Sequence, residues 1–102
     1  MSADQIQVTE TESGKLLLCP EYFDISVAAE FQKTLLTLLQ EKPKNVIFDA
    51  ENVEILDASI GQISCAFMRS AERDGIQVEW KNASEATCQS AKLLGLTGIM
   101  QL

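Results

Sequence analysis

The run Asn45–Asp49, "NVIFD", constrains this chain most. It is a short apolar passage closed by an acid, and it sits between two stretches with helical periodicity. Before it, Val27, Phe31, Leu35 and Leu38 recur at three- and four-residue spacing, which makes one buried stripe of a helix ending near Glu41. After it, Ser59 to about Arg73 has the length and spacing of a second helix, ending at "RDG", where Gly75 suits a left-handed cap. A strand between two helices is the signature of a parallel sheet with helical crossovers, and a continuous apolar strand belongs in its middle, covered by helices.

The flanks complete the pattern. Ile6–Thr9 alternates apolar and polar and predicts a half-exposed strand. "TESG" (Thr11–Gly14) is a turn, and Lys15–Cys19 is a more buried strand, so the two form an antiparallel hairpin. Pro20 ends the second strand because it lacks a ladder donor. Asp24 or Ser26 caps the first helix, and "KPK" (Lys42–Lys44) stops it. In Glu51–Leu56, a short connection, Val53, Ile55 and Leu56 are expected to tuck under the helices. Ile76, Val78 and Trp80 alternate with Gln77 and Glu79 in another half-exposed strand, with Trp80 as core. "NASE" opens a third helix, capped by Ser84 or Asn82, that ends at Gly95. The expected class is therefore α/β: a four-stranded, mostly parallel sheet with an N-terminal antiparallel strand and helices mainly on one face.

The chain has 102 residues and is expected to form one domain over 1–102. No apolar run approaches the roughly 18 residues of a membrane span, and "MSADQIQ" lacks the basic and apolar regions of a leader, so direct membrane insertion is not expected and the location predicted is cytoplasmic. The net charge of −7 repels phosphate backbones and argues against nucleic acid, while a basic protein partner is compatible with it. Cys19, Cys65 and Cys88 form no C-x-x-C pair and read as reduced core residues. The chain contains no histidine, which removes the commonest general base and the commonest neutral metal ligand. No catalytic residue, cofactor or metal is expected, and the chain reads as a binding protein rather than an enzyme. Its two acids at strand ends, Asp49 and Asp57, suit turns and caps better than a catalytic or Mg2+-binding pair. With no Gly-rich phosphate loop, a nucleotide-binding or hydrolytic role ranks last.

The chemistry that does stand out is at the start of the second helix. The eleven positions Ala58–Met68 carry no charge, and Ser59 places a hydroxyl at the helix tip, two residues after Asp57. Ser59 has two compatible readings: the helix cap, or a phosphate acceptor where free amides and the helix dipole favour an anion. Asp57 is placed to orient that hydroxyl. The bare stretch is either a helix buried on most sides or a dry contact patch for another protein, containing Ile60, Ile63 and Met68. Gly61 lets another backbone come close.

The pieces "FDISVAAEFQKTLLTLL", "NVIFDAENVEILDAS", "RDGIQVEW" and "SEATCQSAKLLGLTGIMQL", in this order and covering nearly the whole chain, resemble the STAS domain of bacterial anti-sigma factor antagonists. The family pattern before the second helix is Asp-Ser-Ser-Gly or Asp-Thr-Ala-Gly, and Asp57-Ala58-Ser59 is similar to it. The resemblance implies the STAS fold, a phosphoacceptor at Ser59, and docking of a protein partner through Asp57, Ala58, Ser59, Ile60, Gly61, Ile63 and Met68. The implied partner is an anti-sigma factor kinase, released when phosphate arrives. The chain departs from the family where Ile60-Gly61 replaces Gly-Leu. A bulky residue beside the acceptor hinders a kinase, and this is the ground for the second-ranked alternative: an unphosphorylated, constitutive subunit of a chemosensory assembly or of a lipid-transport ATPase complex, branches that the C-terminal segment also resembles.

Overall fold

In the computed structural model, residues 6–102 are described. Residues 1–5, most of the segment on which the reading of no leader rests, lie outside them. The element order is β1 (Gln7–Glu10), β2 (Gly14–Leu18), β3 (Tyr22–Phe23), a 3-10 turn (Ile25–Val27), α1 (Ala28–Glu41), β4 (Asn45–Asp49), β5 (Ile55–Leu56), α2 (Ala58–Arg73), β6 (Gln77–Lys81), α3 (Glu85–Leu93) and α4 (Thr97–Met100). Four strands form one sheet in the order β1-β2-β4-β6. β1 is antiparallel to β2, and β2, β4 and β6 are parallel. Parallel neighbours require crossovers, and α1 and α2 supply them.

The register explains the one-sided core. Leu17, Phe48 and Trp80 stand in line across β2, β4 and β6, and all three are buried. The next row on the opposite face, Leu16 and Ile47, is only half-buried. Thus β4 is central yet covered by helices on one face only; its apolar run is continuous because Ile47 packs beside Leu16 on the open face. From α1 the expected stripe Val27, Phe31, Leu35 and Leu38 enters the core. Edge-to-face aromatics link the layers: Phe31 lies 6.2 Å from Phe48, and Phe48 lies 5.7 Å from Phe67 of α2.

Local signals act where the sequence places them. Lys42 takes the left-handed conformation (φ 52°) just before Pro43 and closes α1. Gly75 does the same after α2 (φ 77°). Ser84, rather than Asn82, caps α3: its Oγ accepts from the Thr87 amide at 3.1 Å and also donates to the Val53 carbonyl at 2.6 Å. Asp24, rather than Ser26, is the first cap, and what it caps is the 3-10 turn that leads into α1.

Two expectations are corrected by the structure. Ile55 does not tuck under the helices; it is 48% exposed, because β5 pairs with β3 in a separate two-stranded ribbon whose residues alternate outward and inward. Val53 and Leu56 are buried as expected. Cys88 is exposed on α3 and Cys65 half-buried, so of the three cysteines only Cys19 is a buried core residue. Beyond Gly95 the C-terminal segment forms the short helix α4, whose Met100 is buried.

Candidate functional site

The β3–β5 ribbon brings two distant segments to the tip of α2. Tyr22 pairs with Ile55 and Phe23 with Leu56, in parallel. Past Leu56 the chain reaches Asp57, whose amide donates to the Phe23 carbonyl at 3.2 Å. Asp57 has extended backbone (φ −98°, ψ 176°) and is the N-cap of α2. Its Oδ1 accepts from the Ile60 amide at 3.3 Å and from the Ser59 hydroxyl at 2.6 Å. Its Oδ2 accepts from the Ile25 amide at 3.0 Å. Capping therefore falls to Asp57 and not to Ser59, because a cap needs extended backbone and Ser59 is already inside the helix. Asp57 holds the Ser59 hydroxyl, as its spacing suggested.

These contacts set the charge state of Asp57. Burial acts to raise its pKa, but the Ser59 hydroxyl and then the amides of Ile60, Ile25 and Ser59 outweigh it and hold the carboxyl below its ordinary range. Asp57 is thus an anion whose lone pairs are engaged. Asp49 lies elsewhere, accepting from the Glu51 amide at 3.1 Å in a turn. Both acids occupy turn and cap roles, and among the described residues no group of three or more Cys, Asp or Glu is placed to hold a metal ion.

The candidate contact residues divide. Ser59 and Asp57 are half-exposed and Ala58 is exposed. Ile60 is 0% exposed and Gly61 is also buried, so they support the tip from beneath and offer no surface. Met68 is buried too, and lines a cleft of about 600 Å³ toward the other end of α2 with Arg69, Glu72 and Ile99. Ile63 is half-buried and lines a groove of about 270 Å³ between α1 and α2 with Leu36, Leu39 and Ala66. The uncharged stretch Ala58–Met68 therefore buries one side, with Ile60, Gly61, Ser64, Phe67 and Met68 turned inward, and leaves Ala58, Gln62 and Ala66 exposed.

The exposed apolar groups around the tip come from the other segments. Ile25 is 70% exposed, Tyr22 54% and Ile55 48%. Their one legible signal is that Ile25 lies off the α1 stripe, between Asp24 and Ser26; the pairing of Tyr22 with Ile55 has no local signature. Glu21 and Glu54 join them. The Glu54 amide donates to the Glu21 carbonyl at 2.7 Å, and the Glu21 charge, followed by a side-chain hydrogen bond to it, raises the Glu54 pKa. The site is thus a hydroxyl, an apolar trio and a set of carboxylates, an arrangement suited to a partner with apolar and basic groups.

Known structures share the architecture. An anti-sigma factor antagonist from Mycobacterium paratuberculosis superposes with a TM-score of 0.77 at 18% identity, covering 97% of this chain and 86% of the other. The anti-sigma factor antagonist SpoIIAA, in its unphosphorylated form, gives 0.78 at 14% identity, covering 91% and 83%. A sulfate transporter family protein from Wolinella succinogenes gives 0.74 at 20% identity, covering 90% and 75%. Curated protein sequences give no match. At these identities the likeness is one of fold, but the STAS domain family model matches residues 5–102, nearly every position of the sheet, the ribbon and the Ser59 corner. On that match, the chain belongs to the STAS domain family.

Proposed function

We propose that this protein is a regulatory protein-binding module of the anti-sigma factor antagonist type, docking a signalling partner at the tip of α2 and switched by phosphorylation of Ser59. The observation that carries the proposal is the half-exposed Ser59 hydroxyl, held at 2.6 Å by Asp57 beside the exposed Ile25. Apolar contact through Ile25, Tyr22 and Ile55 supplies affinity, with Ala58 and Ser59 at its centre and Ile60 and Gly61 as the base beneath. A phosphate adds about −1.5 to −2 charges. In an already acidic corner, that charge opposes the burial a partner requires.

Two features support this reading. Solved neighbours include proteins named as anti-sigma factor antagonists, one of them in an unphosphorylated form. The burial of Ile60 removes the obstacle a bulky neighbour would present to a kinase, on which the constitutive-subunit alternative relied. Among the described residues, no helix is long and apolar enough to cross a membrane.

The test is to capture the partner from the native cells and titrate it calorimetrically with Ser59→Ala and Ser59→Asp. Ser59→Asp binds more weakly and Ser59→Ala binds constitutively. Equal affinities would count against the switch, and mass spectrometry of the protein from its own cells reads the phosphate directly.

A further inference from the structure

The Asp57 carboxylate joins two segments. One oxygen faces α2, through the Ser59 hydroxyl and the Ile60 amide, and the other faces the Ile25 amide, 32 positions away in sequence. The 3-10 turn that begins at Ile25 is otherwise tied mainly to itself: the Ser26 amide donates to Asp24 Oδ1 at 3.0 Å and the Val27 amide to the Asp24 carbonyl at 3.0 Å. Val27 anchors it in the core, while Ile25 stands 70% exposed. We infer that Asp57 is a relay: a charge placed on Ser59 detaches the Asp57 carboxylate from the Ile25 amide and frees the Ile25 side chain from its fixed position. The inference rests on the reading of Ser59 as a phosphoacceptor and adds how the charge is felt.

The Ser59 hydroxyl, at 2.6 Å the shorter of the two bonds to Oδ1, sets the plane of the carboxylate together with the Ile60 amide, and that plane leaves Oδ2 aimed at Ile25. Phosphoryl transfer from a nucleoside triphosphate replaces the Ser59 O–H bond with an O–P bond, the nucleoside diphosphate departing and the proton passing to solvent. The hydroxyl donor to Oδ1 is lost, the longer Ile60 amide bond alone remains on that oxygen, and an anion stands beside it. Like-charge repulsion then favours a carboxylate turned toward water, which is within reach because Asp57 is only half-buried. The Ile25 amide loses a charged acceptor, one of the stronger hydrogen bonds a protein makes. Docking must then order a segment that the unmodified protein holds ready, so the switch acts by loosening the surface as well as by repelling the partner.

The test reads Ile25 directly and needs no partner. Amide hydrogen exchange is measured by NMR in the full chain carrying Ser59→Asp and in Ser59→Asn, a neutral control of the same size. The Ile25 amide exchanges roughly tenfold or more faster in Ser59→Asp. Equal exchange overturns the relay. In an Asp57→Ala background, Ser59→Asp has no further effect on Ile25; an undiminished effect there overturns it as well. Should these variants not fold, the wild type decides: the Ile25, Ser59 and Ile60 amide resonances shift with one shared acid midpoint, and an Ile25 resonance that ignores that midpoint overturns the relay. Partner affinity separates the two proposals. Weaker binding by Ser59→Asp with unchanged Ile25 exchange removes the relay and keeps the docking site. Faster Ile25 exchange with unchanged affinity keeps the relay and removes the switching of partner binding by charge at Ser59.

Discussion

Gly61 lies so close to Leu96 that a Cβ at position 61 would fall 2.9 Å from the Leu96 Cδ1 and 3.0 Å from the Leu94 Cδ1. The C-terminal segment therefore packs on α2 two residues beyond Ser59, through a contact that the missing side chain makes possible. The neighbours that crowd Gly61 are side chains of the same chain, and not the second backbone that a glycine there led one to expect. Both leucine methyls end flexible side chains, and Leu94 is 37% exposed, so they can move aside for one carbon. Gly61→Ala gains helix propensity of about 1 kcal/mol and loses a similar amount to displacement. Thermal unfolding is therefore expected to change by less than about 1 kcal/mol. Gly61→Phe cannot be absorbed in this way and costs about 2 kcal/mol or more.

Asp57 gives the protein a sign in acid. Its folded pKa is held below the unfolded value, so its contribution is present above about pH 3.9 and is lost as pH falls through the lower, folded value. Glu54 behaves oppositely: Glu21 raises its folded pKa, so its repulsion opposes folding at neutral pH and is relieved on protonation. Asp57→Ala removes the cap and is expected to lower stability at pH 7 by about 1 kcal/mol. Its denaturant midpoint also falls less steeply below pH 4 than that of the wild type. Parallel acid limbs in the two proteins would contradict the assignment.

Ile25 separates binding from folding. At 70% exposure it adds little to the core, so Ile25→Ala is expected to leave stability within about 0.5 kcal/mol. Partner affinity falls by about 1 kcal/mol or more, as for an apolar contact near the middle of an interface. Unchanged affinity by calorimetry would move the interface away from the 3-10 turn.

The cysteines test the burial pattern. Cys88 is exposed, Cys65 half-buried and Cys19 buried, where burial and then the Asp49 charge push its thiol well above the usual range. A thiol reagent under native conditions modifies Cys88 first, Cys65 more slowly and Cys19 only on unfolding. Mass spectrometry of a labelling time course reads the order.

The α1 stripe, the "NVIFD" strand, the Lys42 and Gly75 terminations and the Ser84 cap were legible in the sequence because each depends on neighbours within about one helical turn or a two-residue alternation. Asp57 and Ser59 were legible as a pair for the same reason. Long-range pairing decided the rest. Which side of α2 is buried depends on what packs there, so Ile60 and Met68, apolar and uncharged like a contact patch, became core. The Tyr22–Ile55 pairing joins residues 33 positions apart, and the Asp57–Ile25 bond spans 32. Local sequence supplies the hydroxyl and its carboxylate. Only the closed ribbon of β3 and β5 places an exposed isoleucine against them, because chain closure over that distance is fixed by the whole core and not by any residue within it.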